Sequence, residues 1–241
     1  MQPHKFHIFI LALCILSSAS FAQSGLEKQG YYFNPTLLHS DWVVGPQPAA
    51  SSAESAADLE AVHRVEQSRT PVQVARAVAD DKEQDIFIFA PVVGEKFTAA
   101  SFPLTNALSV HIHSDESVAS DPLKSTFARP RPYQLDKHLH PVCKVTDVHN
   151  SYPSGHALGG YLFALTLIEM LPEKRESIMR RADEYAHNRI VCGVHYPSDL
   201  RASRELAYVV FGNMLAVPLF QKDLEAARNE IRAKLNLAAI N

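Results

Sequence analysis

The stretch Ala157–Met170 constrains this chain more than any other. It is apolar apart from a few small or hydroxyl side chains and one charge, Glu169. It follows Pro153-Ser154-Gly155-His156 and is closed by Leu171-Pro172. Ser ahead of the run and Pro after it are start and stop signals for a helix. The run is shorter than the roughly 20 residues a membrane-spanning helix needs. Glu169 interrupts it, as Arg204 interrupts the next apolar segment. What remains is a helix inside a folded core.

The neighbouring segments are helical too. Ser52 is placed to cap a helix through about Gln67, with Ala56, Leu59, Val62 and His63 on one face. Thr70-Pro71 is an N-cap followed by Pro at the first helical position, with Val72, Val74, Ala75 and Val78 behind it. Residues 84–93 (QDIFIFAPVV) have strand composition, but no partner strand is evident, so helix is expected. Pro103 to Ser114 is a further helix. Pro172 opens a charged amphipathic helix to about Arg189, with Ile178, Ala182, Tyr185 and Ala186 inward. Ser198 is expected to cap a helix from Asp199 to about Leu215, and a last helix spans about Phe220 to Leu237. Residues 23–50, rich in Gly and Pro, read as an irregular arm over the surface. The expected fold class is all-α, a compact helical bundle, in one domain over residues 23–241.

Residues 1–22 have the pattern of an export leader: Lys5, an apolar run Ile8–Leu16, then small residues permitting cleavage after Ala22. Bulky Leu13 directly before Cys14 argues against a lipid anchor there. The formal charge of −3 gives no reason to expect nucleic acid, so any anion attraction must come from a local cluster. Cys143 and Cys192 remain after the leader. In an exported chain they are expected to be paired, with two buried thiols as the alternative.

Three segments carry chemistry. In the first, Lys124 precedes Arg129-Pro130-Arg131-Pro132, whose X-Pro pairs hold the arginines in extended backbone. Arg meets phosphate with a planar fork and Lys with a point charge. In the second, Ser154 and Gly155 stand at a helix N-terminus, where unpaired N–H groups and the dipole favour an anion. His156 stands beside it as a proton donor. In the third, Arg189 closes a helix, Gly193 breaks the chain, and Asp199 lies four residues after His195. A carboxylate there can accept from imidazole Nδ1–H and leave Nε2 as nucleophile. Each segment alone is compatible with a basic loop, a capped helix or a structural ion pair. Their succession in one chain favours phosphoryl transfer.

These segments resemble the secreted bacterial class A non-specific acid phosphatases, within the type 2 phosphatidic acid phosphatase and vanadium haloperoxidase superfamily. The pattern K-x6-RP is matched by Lys124 and Arg131-Pro132, PSGH by Pro153 to His156, and SR-x5-H-x3-D by Arg189, His195 and Asp199. The strings SYPSGH and RIVCG extend the likeness. One departure stands out: Asn188 replaces the serine before Arg189. Arg129 lies outside the pattern and is expected to support the site as a nearby cation.

The resemblance implies a metal-independent, cofactor-free acid phosphatase of broad monoester specificity, exported to the periplasm. His195 would form a phosphohistidine, His156 would protonate the leaving alcohol, and Asp199 would stabilise the His195 imidazolium. Lys124, Arg131, Ser154, Gly155 and Arg189 would hold the phosphate. Phosphate and vanadate would inhibit, and a homodimer is implied. The alternatives are a vanadium-dependent haloperoxidase, a metal-dependent phosphatase using His111-x-His113 or His138-x-His140, a membrane lipid phosphatase, and a phosphate-binding module without catalysis.

Overall fold

The computed structural model describes residues 30–37 and 40–240; the leader expected over residues 1–22 lies outside them. Among the described residues, all regular structure is helical. The α-helices are α1 (Ser40–Val44), α2 (Ala53–Ser68), α3 (Pro71–Lys82), α4 (Ala90–Val93), α5 (Pro103–Phe127), α6 (Pro132–Leu135), α7 (Gly155–Met170), α8 (Arg175–Val191), α9 (Pro197–Leu215) and α10 (Pro218–Lys234). None is long and apolar enough to cross a membrane.

Side-chain chemistry sets the starts. Ser52 Oγ accepts from Ser55 N–H and opens α2. Thr70 and Gln73 form a reciprocal capping box at α3, with Pro71 at the first helical position. The QDIFIF segment makes a 3-10 turn, Ile86–Phe89, and runs into α4. Ile86, Ile88 and Phe89 of this turn are buried in the core.

α7 is the axis of the fold. It packs on α5, α8, α9 and α10, and is buried on every side. Gly160 is required here: a Cβ would lie 2.6 Å from Tyr185 Cδ1 of α8. Leu158, Leu162 and Leu167 are fully buried, each contributing roughly 1.5–3 kcal/mol by leaving water. Ile178, Ala182, Tyr185 and Ala186 of α8 face the same core, as their spacing predicts.

Several expectations need correction. α5 does not stop near Ser114 but continues through Pro122 to Phe127, and ends at Ala128 in the left-handed region (φ 43°). Lys124 therefore stands in the last turn of a helix, and the extended segment begins only at Arg129. On α2 the buried residues are Asp58 and Val62, while Ala56 is exposed. α9 begins at Pro197, and Ser198 does not cap it: its N–H and hydroxyl donate to Asp58 of α2. A 3-10 turn, Pro172–Lys174, precedes α8, and α10 begins at Pro218 and stops at Lys234. The arm before residue 50 contains α1 and buries Tyr32 and Phe33. It is anchored where the backbone N–H of Tyr32 donates to Asp115 (2.9 Å) and the Tyr32 hydroxyl to Asp223 (2.8 Å).

Cys143 and Cys192 are bonded, with Cα atoms 5.2 Å apart. The bridge ties the loop after α6 to the end of α8, next to the segment that carries His195.

Candidate active site

The ends of α3, α5 and α8 meet the starts of α7 and α9 on one side of the bundle. All eight candidate residues come together there. Lys124 ends α5, Arg131 follows in extended backbone (φ −77°, ψ 159°), and Ser154 and Gly155 open α7 with His156 next. Arg189 is in the last turn of α8, Gly193 turns the chain at φ 75°, and Asp199 lies in the first turn of α9.

His195 is 2% exposed. Its Nδ1 lies 3.1 Å from Asp199 Oδ2. A carboxylate only accepts, so Nδ1 carries the proton and Nε2 keeps its lone pair. That lone pair faces Arg131 Nη1 at 3.2 Å. Burial, then the cations Arg131 and Arg189, push the imidazole well below its ordinary pKa, so it is neutral and nucleophilic. Asp199 is fixed from four directions: it accepts from Ser151 Oγ (2.6 Å), Tyr196 N–H (2.9 Å) and Arg129 Nη1 (2.6 Å) as well as from His195. Burial raises its carboxyl to about 6 against the pull of Arg129.

His156 is oriented by backbone. Its Nε2 is 3.2 Å from the Asp81 carbonyl, which only accepts, so Nε2 holds a proton and Nδ1 is the free nitrogen. Burial, followed by the Arg189 charge, lowers this imidazole to about 3. Lys124 also depresses both imidazoles, so the cations converge on the space they share.

Arg189 Nη1 donates to Asp81 Oδ1 at 2.5 Å, while its buried Nε has no hydrogen-bond partner among the described residues. An orphaned guanidinium N–H beside two other cations is a donor suited to an anion's oxygen. Ser154 is fully buried, and its Oγ accepts from Ala157 N–H at 3.4 Å, which leaves the hydroxyl proton for another acceptor. A Cβ at Gly155 would lie 2.8 Å from Glu116 Oε1 and 2.9 Å from Lys124 Nζ, so any side chain here would displace those two groups from the helix start.

Sequence reasoning missed Asp81, Ser151, Asp58 and Glu116. Burial alone would raise the Asp81 carboxyl, but the Arg189 guanidinium outweighs it and holds the group below its ordinary value. The signal for it was Asp80-Asp81 in the last turn of α3, where the helix dipole disfavours carboxylates unless cations meet them. Asp80 is met by Arg181 (2.6 Å) and by the Asn188 side-chain amide (2.7 Å). Asn188 thus braces α8 against α3 from its buried position. Of the metal-ligand pairs, His111 stacks on Tyr31 with ring centroids 3.4 Å apart and lies 3.0 Å from the Tyr32 hydroxyl. Among the described residues, the one group of three potential metal ligands within 4.8 Å of one another is Asp81, Cys143 and Cys192, and the two sulfurs are tied in the disulfide.

Residues 99–222 match the PAP2 superfamily. The chain is 32% identical to a non-specific acid phosphatase of Salmonella typhimurium, over 97% of this chain and 94% of that one. Among solved structures, a transmembrane PAP2-type phosphatidylglycerolphosphate phosphatase from Bacillus subtilis aligns with TM-score 0.52 and 17% identity, over 69% of this chain and 87% of that chain. A bacterial vanadium-dependent iodoperoxidase aligns with TM-score 0.54 and 18% identity, over 70% of this chain and 52% of that chain. At these identities the two structures speak for the fold alone.

Proposed function

This chain belongs to the PAP2 superfamily, and from that premise we propose that it is an exported, metal-independent acid phosphatase acting on phosphate monoesters through a phosphohistidine. The observation that carries the proposal is His195: a neutral imidazole whose Nδ1–H is held by Asp199 and whose Nε2 faces Arg131. Residues 1–22 would be the leader, residues 23–241 one periplasmic domain, and a homodimer the working form.

In the first step His195 Nε2 bonds to phosphorus while the ester P–O bond breaks. Protonated His156 gives its Nδ1 proton to the departing alcohol oxygen. Asp199 stabilises the imidazolium formed on His195. Lys124, Arg131, Arg189, the Ser154 hydroxyl and the Gly155 N–H hold the non-bridging oxygens, which is most of what a protein contributes to phosphoryl transfer. In the second step water attacks phosphorus, His156 takes its proton, and the P–N bond breaks to release phosphate.

The proton on His156 has an evident source. In the free enzyme its pKa of about 3 leaves it neutral near pH 6. A phosphate monoester has its second pKa near ~6, so the monoanion carries one proton into the site. Above ~6 that form is lost. Below about 6 Asp199 takes up a proton and stops accepting from His195. The expected kcat/KM profile is a bell centred near pH 6. A profile still rising above neutrality would contradict this assignment of protons.

The deciding experiment is hydrolysis of an aryl phosphate after dialysis against chelator, beside iodide and bromide oxidation with vanadate and peroxide. Full phosphatase activity in chelator, exceeding halide oxidation, is expected. Loss of activity on metal removal would favour a metallophosphatase, and dominant halide oxidation a peroxidase. Binding of phosphate without turnover would leave a binding module.

A further inference from the structure

We propose that Ser120 and Glu116 form a positioning relay that fixes the Lys124 ammonium over the start of α7. The proposal rests on the phosphate-site reading above. Glu116, Ser120 and Lys124 are spaced by four residues along α5 and so share one face of it. Lys124 Nζ donates to Ser120 Oγ at 3.0 Å, and Ser120 Oγ–H donates to Glu116 Oε1 at 2.8 Å. The direction is forced. An ammonium has no acceptor, so the serine oxygen receives from lysine and sends its single proton on to the carboxylate. Glu116 is 5% exposed and Ser120 fully buried.

The relay ends against Gly155, whose absent Cβ would touch both Glu116 Oε1 and Lys124 Nζ. This places both ends of the chain of bonds at the helix start where the anion is expected. Lysine needs such a guide because its charge rides on a flexible four-carbon stem. A competitor stands beside it: Asp121, with its side chain 58% exposed, lies 3.6 Å from Lys124 Nζ and draws the ammonium towards solvent. Ser120 holds it on the buried side. Glu116 fixes the serine proton so that an oxygen lone pair always faces the lysine.

The test is phosphate affinity, by calorimetry at pH 6, together with kcat and KM for an aryl phosphate. Ser120→Ala is nearly isosteric and should fold, which its melting temperature checks. It should weaken phosphate binding about tenfold and raise KM to match, with a smaller change in kcat, the pattern of lost uniform binding. Glu116→Gln keeps an acceptor oxygen and should stay within about threefold of wild type, whereas Glu116→Leu should match Ser120→Ala. In a Lys124→Met background, Ser120→Ala should have no further effect, because the relay acts only through the lysine. Unchanged phosphate affinity in Ser120→Ala, independent effects of Ser120→Ala and Lys124→Met, or equal losses in Glu116→Gln and Glu116→Leu would each overturn the relay. Wild type that binds phosphate but hydrolyses nothing would remove the phosphatase reading and leave the relay standing.

Discussion

His195→Ala is expected to lower kcat towards an aryl phosphate by at least about 10⁴-fold while leaving phosphate affinity within about tenfold of wild type. The two quantities separate because different groups govern them. The cations Lys124, Arg131 and Arg189 meet the anion from side chains that alanine at 195 does not touch. The bond to phosphorus, by contrast, has one candidate nucleophile, the Nε2 lone pair that Asp199 and Arg131 aim. His156 has its Nε2 committed to the Asp81 carbonyl, and in the proposed step its other nitrogen carries the proton for the departing alcohol. Quenching a reaction with labelled monoester should trap a phosphorylated wild type and no phosphorylated variant. Variant and wild type turning over at the same rate would remove His195 from the chemistry. A labelled variant would place the covalent bond on another residue.

The site was readable where local sequence fixes geometry. Arg129-Pro130-Arg131-Pro132 favours extended backbone, Ser154-Gly155 before an apolar run favours a helix start, and Asp199 follows His195 by four residues. The residues that hold these groups were not readable, because their partners are far away in the chain. Asp81 meets Arg189 across 108 positions. Ser198 looked like a cap because Ser is a good one, but Asp58 claims its N–H across 140 positions. The sequence reading ended α5 near Ser114, but the helix runs on past Pro122, a residue that disfavours a helix interior. Beyond it Leu123 is buried in the core and Lys124 is tied to Ser120.

Arg129 is where this long-range support concentrates, and removing it is expected to be as costly to the fold as removing His195 is to the chemistry. Arg129 is 5% exposed, and its guanidinium lies between two buried carboxylates. Nη1 donates to Asp199 Oδ1 (2.6 Å) and Ser198 Oγ (2.7 Å), and Nη2 donates to Asp58 Oδ2 (2.8 Å). The plane sits 4.1 Å from the Tyr196 ring centroid. Arg129→Met keeps most of the apolar stem and leaves both carboxylates without their cation. Breaking a buried pair in this way costs about 3–5 kcal/mol, or a fall in Tm of roughly 10 °C for a chain of this size. The loss must depend on pH. Asp199 already has its carboxyl raised to about 6 by burial, and without Arg129 it rises further. A carboxyl raised above its unfolded value stabilises the fold when protonated and forfeits that stability as pH climbs through the folded pKa. Urea unfolding should therefore show a wide gap between wild type and Arg129→Met at pH 7.5 and a narrower one at pH 5. Adding Asp58→Asn should recover part of the stability by removing one stranded charge, but not the activity, because Asp199 would still be protonated when His195 needs its acceptor. A gap below about 1 kcal/mol, or one that stays constant between the two pH values, would show that Asp58 and Asp199 do not depend on Arg129 for their charge.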